Sequence, residues 1–123
     1  MMRIHLQREI EHLKKRILNL GAVVEQSVRQ AALSIENKDV DLAKGVINSD
    51  NKVDDIEVEI EEDCLKILAL HQPVAIDLRF IIAVLKINND LERIGDLAVN
   101  IAERSVFLAK KPPVDITFNF VDM

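Results

Sequence analysis

Apolar side chains recur along residues 3–37 in alternating steps of four and three: Leu6, Ile10, Leu13, Ile17, Leu20 and Val24, followed by Ser27 and Ala31. Heptad spacing of this kind predicts one long helix, from about Arg3 to Asn37, whose seam faces neighbouring helices. Its other faces carry Arg, Lys, Glu and Gln, and Gly21 interrupts the seam, which reads as a close approach or a slight kink. Asn37-Lys38-Asp39 is a short polar break, and Asp39 has the chemistry of an N-cap. A second helix follows from about Val40 to Ala69, with Leu42, Val46, Val53, Ile56, Ile60 and Ile67 as its apolar face. Leu70-His71-Gln72-Pro73 closes it, because the residue before proline is pushed out of the α region. The third helix is expected from Gln72 to about Lys110, with Pro73 in its first turn and Phe80, Val84, Ile87, Leu91, Ile94, Ala98 and Ile101 as its stripe. Lys110 and Lys111 suit the negative end of its dipole, and Pro112-Pro113 forbid its continuation. Short turns between consecutive helices imply antiparallel neighbours. The expected fold is therefore all-α, an up-down-up three-helix bundle over residues 1–110. In the tail, 111–123, Val114, Ile116, Phe118 and Phe120 alternate with polar residues, as in an extended segment, a linker or the approach to a further element.

The polar positions beside these stripes carry the candidate chemistry. Glu92, Asp96 and Asn100 follow at i, i+4 and i+8, so their oxygens line one flank of the third helix. Like charges at that spacing repel, and the repulsion grows near an apolar face unless a cation sits between them. Asp50 and Asp54 repeat the spacing on the second helix. Extending that helix's heptad places Asp50, Glu57 and Cys64 on the seam itself, with Asp54 and Glu61 on the adjoining row; a carboxylate on a seam is an error in an ordinary bundle. Asp50, Asp54, Glu92, Asp96 and Asn100 read as a metal site between helices two and three, suited to hard or borderline cations such as Mg²⁺, Mn²⁺, Ca²⁺ or iron. The competing reading is a solvated acidic edge paired with Lys52, Lys86, Arg93 or Arg79.

Other residues point to structure. Glu9-x-x-His12 is half of a di-iron motif whose second half is missing, so His5 and His12 read as surface histidines. Cys64 reads as a small buried hydrophobe. Asp77 suits the helix dipole near the start of helix three, and Arg79 an inter-helix ion pair.

Composition narrows the function classes. At 123 residues the chain is one domain by length, rich in helix formers and with only three each of Gly and Pro. A net charge of −5 argues against a phosphate-backbone binder. No apolar run approaches the ~18 residues of a membrane span, and the basic N-terminal segment has no apolar core of a secretory signal behind it. A single cysteine excludes an internal disulfide framework. These features fit a cytoplasmic location. No glycine-rich phosphate loop, Ser-His-Asp order or Cys-x-x-Cys pair is present, which argues against nucleotide hydrolysis and nucleophilic catalysis.

Asp50-Asn51-Lys52-Val53-Asp54, then Pro73 through Arg79 (PVAIDLR), then Leu91 through Ile101 (LERIGDLAVNI) resemble the PhoU family in pattern and order, from helix one to about Lys110. The resemblance implies a fold of two similar three-helix bundles, of which this chain carries one, with acid-x-x-x-acid motifs on the bundle surface binding metal clusters. Carried over, the ligand candidates are Asp50, Asp54, Glu92, Asp96 and Asn100, with a divalent or ferric ion (Fe, Mn, Mg or Zn) as cofactor, and Gly95 holding the helices close. The family is a cytoplasmic, non-enzymatic accessory of phosphate-specific transport, linked to the transporter's ATPase subunit and to the phosphate sensor kinase. A single repeat is expected to be a fragment or to pair with itself as a homodimer. A carboxylate-bridged metalloenzyme and a metal-free structural adaptor are the alternatives.

Overall fold

The computed structural model describes residues 2–110, with side chains from His5 onward. Three antiparallel helices make the fold, α1 (Met2–Glu36), α2 (Val40–His71) and α3 (Ala75–Ala109), and each packs against both others. Among the described residues there is no strand, and no helix is long and apolar enough to cross a membrane. The alternation of the 111–123 tail and the Pro112-Pro113 stop lie outside the described residues.

The α1–α2 turn forms as its residues dictate. Lys38 adopts a left-handed φ of 55°, and the backbone N–H groups of Asn37 and Asp39 donate to the Leu33 and Ser34 carbonyls at 2.9 Å each. Asp39 then caps α2, its Oδ1 accepting from the Leu42 N–H at 3.1 Å, so one of the helix's four unpaired N–H groups is satisfied.

The α2–α3 turn departs from expectation. Pro73 is not in the first turn of α3; it is buried two residues ahead of it. Pro73 bars its predecessor from the right-handed α region, and Gln72 answers with a left-handed φ of 44°, its N–H donating to the Leu68 carbonyl at 3.2 Å. The chain reverses over Pro73 and an extended Val74 before the helix resumes at Ala75.

The core is continuous along α1, where Ile10, Leu13, Ile17, Leu20, Val24 and Ala31 are buried as the heptad predicts. Gly21 marks no close approach. A Cβ there would meet no atom within 4 Å, and α1 runs through it unbroken. The large core cluster joins Leu13, Ile17, Leu20 and Val24 to Val53, Ile60, Cys64, Ile67, Ile81 and Val84. A second cluster of mostly small side chains, Ala31, Ala43, Val46, Ala98 and Ala102, fills the other end. Cys64 is the buried small hydrophobe expected, its thiol pushed up to about 11 by burial and then by the Asp63 and Glu61 charges.

The buried seam of α3 is rotated from the expected stripe. Ile81, Val84, Asn88, Gly95, Ala98, Ala102 and Ser105 are buried, while Ile87 and Ile94 stay 46 % and 42 % exposed. The helix must face α1 and α2 together, so its inner line bisects the two contacts. That line favours small residues, which leaves larger apolar side chains on the shoulders.

Polar links bind the helices outside the core. Arg16 Nη1 on α1 reaches Asp63 at 2.9 Å and Glu59 at 3.6 Å on α2, Glu9 Oε2 lies 2.9 Å from His71 Nε2, and Lys14 sits 5.5 Å from the centroid of the Phe80 ring on α3. His5 and His12 are exposed, as expected. Arg79 is also exposed, where solvation competes with any ion pair, and it forms no inter-helix ion pair among the described residues.

Candidate metal centre

Between the two core clusters the α2–α3 interface turns polar. Antiparallel packing sets the Asp50–Glu57 stretch of α2 beside the Asn88–Asp96 stretch of α3, so two i, i+4 acid pairs face each other across one seam. Carboxylate oxygens of Asp50, Asp54 and Asp96 all lie within 4.8 Å of one another, Asp50 half-buried and the two others exposed. Next to this triangle, Asp54, Glu57, Val58, Glu61, Asn88, Glu92 and Asp96 line a groove of about 230 Å³. Asn100, one turn beyond Asp96, is exposed and is not among the groove's lining residues.

The electrostatics are uncompensated. Among the described residues, no Lys, Arg or His nitrogen lies within 4.0 Å of Asp50, Asp54, Glu57, Glu92 or Asp96. Partners offered by sequence order, such as Lys52, Lys86, Arg93 and Arg79, therefore do not neutralise the patch by direct contact. The consequence is largest at Glu57, which is only 6 % exposed. Burial first, and then the charges of Glu92, Asp54, Asp96 and Asp50, push its carboxyl up to about 7. Asp50 is also raised, by burial and by Asp54 and Asp96.

Asn88 is the residue that sequence reasoning missed. It occupies the inner line of α3, four residues after Val84 and seven before Gly95, and is 5 % exposed. Its Nδ2 donates to the Glu57 backbone carbonyl at 3.0 Å, while its Oδ1 is buried without a hydrogen-bond partner. An orphaned buried acceptor costs on the order of 1–3 kcal/mol. The signal was available as a polar residue on a heptad seam, but it was hidden by reading the stripe through Ile87. Glu57 was placed on the seam correctly without being joined to the site.

Gly95 is close to α2 without being indispensable to that closeness. A Cβ there would come 3.8 Å from Val53 Cγ1 and 3.9 Å from Glu57 Oε1, which is ordinary contact.

The donor set therefore fits a cation: oxygen ligands only, a local excess of negative charge with no counter-ion in direct contact among the described residues, and a buried amide oxygen lacking a partner.

Residues 17–105 match the family model of the PhoU domain. The chain belongs to the PhoU family. It is 40 % identical over 118 residues to a phosphate-specific transport system accessory protein PhoU homolog of Aquifex aeolicus, covering 94 % of this chain and 53 % of that protein. It is likewise 40 % identical over 98 residues to the Escherichia coli accessory protein PhoU, covering 80 % of this chain and 41 % of that one. Crystal structures of family members superpose closely. PhoU from Pseudomonas aeruginosa gives a TM-score of 0.82 at 38 % identity, over 85 % of this chain and 50 % of that one. The phosphate transport system regulatory protein PhoU from Streptococcus pneumoniae gives 0.77 at 34 %, over 82 % and 48 %. The chain thus spans about half the length of the relatives it matches.

Proposed function

We propose that this chain is a regulatory accessory module of phosphate transport and phosphate signalling that acts by protein–protein binding rather than catalysis, with a carboxylate metal site on the α2–α3 face. The observation that supports the metal most is the convergence of Asp50, Asp54 and Asp96 within 4.8 Å without a cationic side chain beside them. Glu92 enlarges the negative charge from the next turn of α3, and Asn100 extends the same flank. The accessory role follows relatives named as phosphate-specific transport system accessory proteins. Its partners on this reading are the transporter's ATPase subunit and the phosphate sensor kinase, met in the cytoplasm. A bound ion would change the surface charge of this face and pin α2 to α3, which gives a binding surface two states.

Thermal unfolding of the dialysed protein, with and without Mg²⁺, Mn²⁺, Zn²⁺ or iron, tests the metal site. Binding at a hundredfold above the dissociation constant stabilises the folded state by ~2.7 kcal/mol, a melting shift of many degrees at this size. The Glu92→Ala/Asp96→Ala protein should lose that shift. A wild type indifferent to every ion would leave a solvated acidic face.

A homodimer is the second part of the reading. An apolar groove between α1 and α3, lined by Gly21, Val24, Val28, Leu91 and Ile94, is open beside the Glu25–Arg29 ion pair, and such a surface is suited to cover by another helix pair. Light scattering at micromolar concentration should give twice the chain mass of 13.9 kDa. A monomer mass would end this part of the proposal.

A further inference from the structure

On the α1–α2 face, away from the acidic patch, Arg8, Glu9, His12, Asp63, Lys66 and Ile67 line a pocket of about 260 Å³. Its acids and bases are not matched to one another. Asp63 is held by Arg16 Nη1 at 2.9 Å, and Glu9 Oε2 lies 2.9 Å from His71 Nε2, so each acid has a nitrogen partner of its own. Arg8 and Lys66 have none. Both are exposed, and among the described residues no carboxylate oxygen lies within 4.0 Å of either. His12 Nε2 accepts from Arg16 Nε at 3.1 Å, which puts the ring proton on Nδ1 and leaves that N–H as a donor. One small pocket is thus lined by two cations without counter-ions and by a histidine with a spare N–H.

We propose that this pocket binds inorganic phosphate, with the Arg8 guanidinium, the Lys66 ammonium and His12 Nδ1–H as its donors. The inference rests on the accessory reading above and adds to it the small molecule that such a module would read. A guanidinium presents two parallel N–H groups that match two oxygens of a phosphate, and an ammonium adds a point charge. At about 260 Å³ the pocket lies below the roughly 300–1,000 Å³ of sites for drug-sized ligands, so it suits a small ion. A few waters, at about 30 Å³ each, complete the shell. The two acids select among anions. Phosphate keeps a proton at neutral pH, and the Glu9 or Asp63 carboxylate can accept it. Sulfate keeps none, so the same carboxylates repel it with no hydrogen bond in return.

Equilibrium dialysis of the EDTA-treated protein against radiolabelled phosphate, at constant ionic strength, tests the site. Wild type should bind one phosphate per chain, with sulfate competing at least tenfold less well. Arg8→Gln and Lys66→Gln should each weaken binding at least tenfold with unchanged far-UV circular dichroism, since both side chains are exposed. Lys44→Gln removes the same charge from an exposed position near the start of α2 and should bind as wild type does. No bound phosphate at millimolar concentration would overturn the proposal. So would an equal loss in all three variants, which reduces binding to net charge, or equal competition by sulfate. Stronger competition by phosphoserine would assign the pocket to a phosphorylated side chain and overturn it too. Glu92→Ala/Asp96→Ala should keep its phosphate; loss there would place the anion on residual metal at the acidic face and overturn the pocket. The metal-dependent melting shift is measured separately, so a failure here with that shift intact leaves the reading above standing.

Discussion

At pH 8, in the absence of metal, the Glu57→Gln protein should be more stable than wild type by up to about 3 kcal/mol, and at pH 4.5 the two should be nearly equal. The carboxyl of Glu57 has an ordinary value of 4.5 in the unfolded chain and about 7 in the folded one, so the fold prefers it protonated. Its favourable contribution is fully present below about 4.5, falls as pH rises, and is gone above about 7. The displacement corresponds to roughly 3 kcal/mol at ~1.4 kcal/mol per pH unit. Asp50, raised in the same direction, adds to the decline in both proteins, so the difference between them isolates Glu57. Urea unfolding at the two pH values measures this directly. Equal pH slopes in the two proteins would show that Glu57 is not held among uncompensated charges. Adding Mn²⁺ should flatten the wild-type slope, because a cation beside the carboxylate favours its charged form.

Leu20→Ala should cost 2–5 kcal/mol, roughly the price of deleting a large side chain that the surroundings cannot refill. Leu20 is 0 % exposed and belongs to the cluster that joins Leu13, Ile17 and Val24 to Val53, Ile60, Ile81 and Val84 on the other two helices. Three rigid helices meet there, so the cavity can close only by moving one of them. A domain of this size commonly has only about 5–15 kcal/mol in total, and the variant would lose a large part of it. Leu18, two residues away and 73 % exposed, is the control, and Leu18→Ala should stay within about 0.5 kcal/mol of wild type. Denaturant midpoints at pH 7 check both; a small effect at Leu20 would mean that the seam of α1 does not face the other helices.

The three helices differ in how far their sequences reveal their buried faces. The α1 seam was legible because large aliphatics hold one heptad from Ile10 to Val24, and those residues are buried where the period puts them. The cap at Asp39 was legible for a local reason, since its side chain bonds an N–H three residues on. On α3 the largest side chains misled. Ile87 and Ile94 have the apolarity of a core stripe, yet the line that meets both neighbours passes through Asn88, Gly95, Ala98 and Ala102, where small or polar groups permit close packing. Hydrophobicity records what prefers to be buried; the bisecting line between two neighbours decides what is.

The candidate site divides in the same way. Asp50, Asp54, Glu92 and Asp96 were visible as two i, i+4 pairs, because one helix suffices to align them. That Asp50 and Asp54 meet Asp96 within 4.8 Å depends on the offset between α2 and α3.

By itself, the sequence determined three helices, their antiparallel order, the family to which they belong, and acids on two of the helices, since each follows from spacing or pattern within a segment. Only the tertiary structure decided the helix rotation and offset. Those two quantities buried Glu57 among four other carboxylates, left the Asn88 oxygen without a partner, and brought Asp50, Asp54 and Asp96 together from two separate rows of acids.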